Sequence, residues 1–206
     1  MISSIKDKLR EYSPRPLEEH KQYAVLLPLV YEKATESWQV LYQVRSQSIS
    51  QPGEVSFPGG SVEEGESFEA AAVRETCEEL LITPEQIEIL GEIDYLVHGK
   101  RTIHCFVGQI HIEDWLTIKP NEEVDHLFTI PLDELLATSP TYYQLHNDVK
   151  PETNFPYEKI PNGQDYAFTG YGRKIPFYDL TPETLWGMTA LFTHRFCQII
   201  KGERER

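Results

Sequence analysis

The chain has 206 residues, 40% of them hydrophobic and 11% aromatic, which is enough apolar material for one packed domain and excludes a disordered chain. With 33 acidic against 19 basic side chains the net charge is −14, so the surface repels phosphate backbones and a general nucleic-acid binder is set aside. Cys77, Cys105 and Cys197 form no C-x-x-C pair, the start MISSIKDKLREY lacks the apolar run of a signal peptide, and no stretch is long enough to span a bilayer; a cytoplasmic protein without membrane attachment is expected.

Residues 2–12 read as a short amphipathic helix closed off by Ser13-Pro14-Arg15-Pro16. YAVLLPLVYE (23–32) and WQVLYQVR (38–45) read as two strands around the polar turn Lys33–Ser37. A loop over residues 46–67, with four glycines and two prolines, leads into a helix predicted over Phe68–Leu80. On that helix Ala70, Val73, Cys77, Leu80 and Leu81 recur at core spacing, with Glu75, Glu78 and Glu79 opposite. Thr83-Pro84-Glu85-Gln86 carries the Thr-x-x-Gln pattern of a capping box.

IEILGEIDYLV, IHCFVGQIHI and EVDHLFTI then read as strands, and PLDELLA as a short helix. Residues 139–179 are rich in Tyr, Pro, Asn and Asp without a sustained period, and read as an irregular insertion or lid within one domain spanning 1–206. Thr181 as cap and Pro182 at the first position are expected to start a last helix running to Lys201. Strands before and after a central helix, closed by a second helix, predict an α+β layer fold.

The stretch RETCEEL (74–80) carries the chemistry. It places Glu75, Glu78 and Glu79 within one turn, where like charges cost roughly 0.2–0.5 kcal/mol per pair. A solvated acidic face is the more economical reading of three glutamates alone. The other is a site for hard divalent cations, which take oxygen ligands and turn that repulsion into attraction.

The flanks favour the second reading. Gly60, five residues, Glu66, seven residues and then Arg74-Glu75-Thr76-Cys77-Glu78-Glu79-Leu80-Leu81-Ile82 resemble the Nudix box, G-x5-E-x7-R-E-U-x-E-E-x-G-U with U a bulky apolar residue. The resemblance implies the Nudix fold, an α/β/α sandwich around a mixed sheet, and cleavage of a diphosphate that joins a nucleoside to another group. It implies that Glu75, Glu78 and Glu79 bind Mg2+ or Mn2+, helped by the backbone carbonyl of Gly59, that Arg74 orients these glutamates, and that Glu66 supports Arg74. Gly59 and Gly60 would let the main chain approach the ions. Thr76 and Leu81 depart from the pattern, at positions where the box has an apolar residue and a glycine. A non-glycine residue held in a left-handed conformation at Leu81 costs about 1–2 kcal/mol, so the helix end is expected to be rebuilt around Thr83-Pro84 instead.

Upstream, LYQVRSQSISQPGEVSFPGG resembles the additional motif of the coenzyme A pyrophosphatase branch: Leu41, Arg45, Ser46, Gly53 and Phe57-Pro58-Gly59-Gly60 match, and Ile49 and Ser50 stand near the place of a second arginine. EEVDHLFTIPLDELL, LWGMTA and FVG resemble further segments of that branch, so the resemblance covers roughly residues 22–200. It implies hydrolysis of coenzyme A or acyl-CoA to phosphopantetheine and adenosine bisphosphate, with Arg45 as the substrate-binding cation and Glu123 as an added catalytic glutamate. The alternatives are a Nudix hydrolase of ADP-ribose or NADH, and a non-catalytic domain that senses a nucleotide. The partner implied is a small nucleoside diphosphate derivative. Relatives are often homodimers, and nothing in the sequence identifies an interface. Cys105 is expected in the core with His104 exposed, Trp186 in the core, and the aromatic residues of 139–179 (Tyr142, Tyr143, Phe155, Tyr157, Tyr166, Phe168, Tyr171) mainly in loop packing.

Overall fold

The structure is a computed structural model and describes residues 2–14, 16–18, 20–146, 151–168, 170 and 172–203. In chain order it forms α1 (Ile2–Glu11), β1 (Lys21–Glu32), β2 (Ser37–Arg45), β3 (Val55–Ser56), β4 (Gly59–Ser61), α2 (Phe68–Leu80), β5 (Ile87–Glu92), β6 (Leu96–His98) and β7 (Arg101–Ile110). There follow β8 (Val124–Pro131), α3 (Leu132–Ala137), β9 (Thr141–Leu145), β10 (Arg173–Tyr178), β11 (Leu185–Trp186) and α4 (Gly187–Ile200). Among these residues no helix is long and apolar enough to cross a membrane.

The large sheet runs β3-β2-β1-β7-β5, with β4 added to β1, β8 to β2 and β6 to β7. Its one parallel pair, β1 with β7, makes the sheet mixed. β1 is covered on both faces, which is why its sequence is a continuous apolar run and does not alternate. Pro28 interrupts that run without breaking the ladder: β1 pairs with β4 up to Val25, Leu26 N donates to Pro58 O, and pairing with β2 begins at Leu29. The missing N–H therefore falls where the strand changes partners.

Helices cover both faces. On one, Ala24, Leu26 and Phe106 pack against Ala71 and Ala72 of α2, and Leu41 and Val30 pack against Leu80. On the other, Leu27, Val40, Tyr42 and Val107 meet Ala190, Phe192, Phe196 and Cys197 of α4. Tyr42 stacks between Phe57 and Phe128 at 5.2 and 5.3 Å and shares a hydrogen bond with Thr193 Oγ1. The result is the α/β/α sandwich, of class α+β.

Four expectations change. The buried face of α2 is Ala71, Ala72, Thr76, Glu79 and Leu80, whereas Ala70 is exposed and Val73 and Cys77 only half-buried. The helix is thus rotated by about one residue from the apolar stripe, because small alanines allow close approach to the sheet and Glu79 is drawn inward by polar partners described below. Second, residues 141–145 and 173–178 are strands that form a three-stranded antiparallel sheet with β11, leaving short 3-10 turns between them. Third, α4 starts at Gly187 and not at Pro182: Leu185-Trp186 is used as a strand, and Gly187 turns the chain at φ +66°. Trp186 therefore points out when Leu185 points in; it is 37% exposed and stacks on Phe177 at 5.5 Å. Fourth, His104 is half-buried, stacked between Phe68 and Tyr95, while Cys105 lies in the core as expected.

Phe155, Tyr157, Tyr166 and Phe168 form a chain of edge-on ring contacts that packs the turns together, and Tyr171 lies outside the described residues.

Candidate active site

The C-terminal half of α2 meets β2, the loop from β3 to β4, and the loop before β8. Ser67 caps α2, its Oγ accepting from Ala70 N at 3.1 Å. Two turns on, Arg74 gathers the surrounding acids. Its Nε and Nη2 donate to the two oxygens of Glu66 at 2.9 and 3.0 Å, Nη1 donates to Glu75 Oε1 at 2.9 Å, and Nη2 also reaches Ser61 O at 3.0 Å. Glu78 stands at 3.5 Å from Nη1 and is largely exposed. The Arg74 guanidinium holds the Glu66 carboxyl below its ordinary range.

Glu79 is only 5% exposed. Its Oε2 accepts from Gln43 Nε2 at 2.9 Å and from Gly59 N at 3.0 Å. Burial raises its pKa from the ordinary 4.5 to about 7; the two hydrogen bonds oppose this, and the nearby Glu75 and Glu123 add to it. Glu75 is pushed up for the same first reason, against the pull of Arg74. Gly60 is required by this packing, since a Cβ there would lie 2.4 Å from the Glu75 carboxyl.

The structure thus brings Glu66, Arg74, Glu75 and Glu79 together with Gly59 and Gly60, and sets Glu123 within electrostatic range of Glu75 and Glu79. Arg45 behaves differently: its Nε donates to Ser50 O at 2.8 Å and its Nη2 to Ser50 Oγ at 3.3 Å, so it holds its own loop. Leu81 takes the left-handed conformation, φ 52° and ψ 43°, that the box reserves for glycine. The helix end is therefore not rebuilt, and Thr83, whose N donates to Gln86 Oε1 at 3.0 Å, starts a separate 3-10 turn.

Two residues escaped the sequence reading. Gln43 is one, a buried amide whose Oε1 has no hydrogen-bond partner among the described residues. Its only signal is a polar residue in the buried phase of an otherwise apolar strand. Asn121 is the other. Its N and Nδ2 donate to the carbonyls of Glu79 and Glu78 at 2.8 and 3.0 Å, and its Oδ1 accepts from Glu123 N at 2.9 Å. It clamps the end of α2 to the loop that carries Glu123.

The donor set fits a hard divalent cation. Among the described residues a buried carboxylate without an ionic partner, a second one beside it, and an amide oxygen without a hydrogen-bond partner are all acceptors that a cation would satisfy. Among the described residues no three His, Cys, Asp or Glu side chains form a ready-made cage. That suits an ion which takes the rest of its shell from the main chain and from substrate phosphates.

The comparisons agree with this geometry. The NUDIX domain family matches residues 20–151. Nudix hydrolase 3 of Caenorhabditis elegans is 37% identical over 185 residues, covering 87% of this chain and 73% of that protein. The human mitochondrial coenzyme A diphosphatase is 28% identical over 182 residues, covering 86% and 68%. A MutT/nudix family protein from Enterococcus faecalis superposes with a TM-score of 0.54 at 15% identity, over 98% of this chain and 70% of that one, a likeness of fold. By its family match and by the carboxylates assembled around α2, the chain belongs to the Nudix family and is a Nudix hydrolase.

Proposed function

We propose that the protein hydrolyses the diphosphate bond of coenzyme A or acyl-CoA, releasing phosphopantetheine and adenosine bisphosphate. The chemistry is carried by the buried, ionically unpartnered carboxylate of Glu79 beside Glu75. The substrate is supported by the similarity to a coenzyme A diphosphatase over 86% of the chain and by the run Phe57-Pro58-Gly59-Gly60.

In this reading Glu75, Glu78 and Glu79, with the main chain at Gly59, would hold Mg2+ or Mn2+, which supplies charge neutralisation for the diphosphate. Arg74 fixes the Glu75 carboxylate, Glu66 fixes Arg74 through two bonds, and Gly60 leaves room for Glu75. Glu123, tied to α2 through Asn121, is the general base that takes a proton from the attacking water. Arg45 orders residues 46–50 and through them shapes the mouth of the site where substrate enters.

A second reading, hydrolysis of ADP-ribose or NADH, is favoured by one observation: the branch's second arginine is absent, with Ile49 and Ser50 near its place. Mass spectrometry of products formed with Mg2+ separates the two. Phosphopantetheine from coenzyme A, faster than AMP from ADP-ribose or NADH, is expected. AMP alone would transfer the site to the second reading, and tight binding without turnover would make the protein a nucleotide sensor.

A further inference from the structure

Arg45 ends β2, and the alternation of that strand puts it on the face that carries the glutamates. Leu41 packs with Leu80 and Gln43 holds Glu79, whereas Val40, Tyr42 and Val44 turn toward α4. Arg45 is the next residue on the side of Leu41 and Gln43. Its main chain and its side chain both pin the loop that follows. Arg45 N donates to Glu54 O at 3.0 Å and Arg45 O accepts from Gly53 N at 2.9 Å, which closes residues 46–53 at their base. The guanidinium then crosses the loop to Ser50, Nε on its carbonyl and Nη2 on its hydroxyl. Within the loop, the hydroxyls of Ser46 and Ser48 lie 2.7 Å apart, and Ser46 Oγ accepts from Ser48 N at 3.3 Å.

The far side of this loop grips the segment that carries Glu123. Ser46 N donates to Glu123 O at 2.9 Å, and Ser48 Oγ donates to Glu122 O at 3.4 Å. Asn121 Oδ1 holds Glu123 N, so both main-chain groups of Glu123 are fastened. The ladder is irregular at the same point: Val44 pairs with His126 but Arg45 with Val124, which leaves Asp125 as an extra residue. A bulge of this kind bends its strand and re-aims the side chains beside it.

We propose that Arg45 is a positioning residue for Glu123, acting through Ser46 and Ser48 and not by contact with substrate; this rests on Glu123 serving as the general base. A base works only from within hydrogen-bond reach of the attacking water, so the loop that sets the Glu123 main chain sets its effectiveness.

The test is a double-mutant cycle on the full chain, with kcat and KM measured for coenzyme A in the presence of Mg2+. Glu123→Gln is expected to lower kcat by about a hundredfold or more. Arg45→Ala is expected to lower kcat by about tenfold with KM held within about twofold, and to cost nothing further in the Glu123→Gln background. A substrate-binding arginine would instead raise KM by the same factor in both backgrounds, and that result overturns the assignment. Equal losses of kcat in both backgrounds overturn it too, since they mark a general loss of structure.

If wild type leaves coenzyme A intact, the substrate reading has failed; if Glu123→Gln is as fast as wild type, the base reading has failed. Amide hydrogen exchange then decides the link between Arg45 and Glu123, compared in wild type and Arg45→Ala with the amides of β1 as control for an intact fold. Exchange at Ser46 and Glu123 faster by about tenfold, with β1 unchanged, supports the link. Unchanged exchange at both residues, or faster exchange throughout, overturns it.

Discussion

Gln43 Nε2 donates to Glu79 Oε2 over 2.9 Å, joining the middle of β2 to the last turn of α2 inside the protein. This contact fixes the carboxylate that burial alone would leave free to turn. Gln43→Ala is expected to leave Glu79 held by Gly59 N only and to lower cation affinity by roughly 10–100-fold, the usual cost of losing a group that orients a ligand. Calorimetric titration with Mn2+ checks this, with turnover against Mg2+ concentration as a second readout. Unchanged affinity would mean that Gly59 suffices.

Glu79 also predicts a pH dependence. Its folded-state pKa is about 7 against an ordinary 4.5, so the folded state holds this proton more tightly than the unfolded chain. The stabilisation is present in full below about 4.5 and is lost as pH rises through 7, a change of about 3 kcal/mol. Without divalent cations, Glu79→Gln should therefore gain stability relative to wild type across that window, measured by urea unfolding. Added Mg2+ should shrink the difference, since a nearby cation favours the carboxylate.

Gly60→Ala tests the close approach beside Glu75. The new Cβ would lie 2.4 Å from a carboxyl group at the end of a flexible side chain, which can swing away. The fold should persist while turnover falls by about a hundredfold, because displacing a positioned group by an ångström carries that order of loss. Circular dichroism and turnover, measured together, distinguish this from unfolding.

Leu81 holds a left-handed conformation and is 65% exposed, so its side chain contributes little burial to offset the strain. Leu81→Gly should gain up to about 1 kcal/mol in urea unfolding, whereas Leu81→Ala should not, since the Cβ causes the strain.

Much of this site was legible because it is local. Arg74, Glu75, Glu78 and Glu79 lie on one helix, and helical geometry brings them together from their spacing alone. Phe68–Leu80 and the first two strands were legible for the same reason. What the sequence concealed depends on partners far away in the chain. Glu79 resembles its exposed neighbour Glu78 until Gln43, 36 positions earlier, draws it inward. The strands of residues 141–145 and 173–178 lack alternation because β9 is exposed along its length and pairs across a long interruption. Leu81 was misread on energetic grounds: a cost of about 1–2 kcal/mol is small enough for a folded domain to absorb.

The parallel pairing of β1 with β7 governs the order in which the protein can assemble. Lys21 pairs with Arg101 and Leu29 with Gln109, so each contact of this ladder closes a loop of 80 residues. The long-range ladder is expected to make folding slow for the domain's size, since loop closure precedes any gain from pairing. During synthesis, β1, β2, β4 and α2 leave the ribosome before β7 does, and Ala71 and Ala72 meet Phe106 only afterwards. Until then β1 presents an unpaired apolar edge, which makes the nascent chain most prone to aggregate just before its catalytic helix is locked in place.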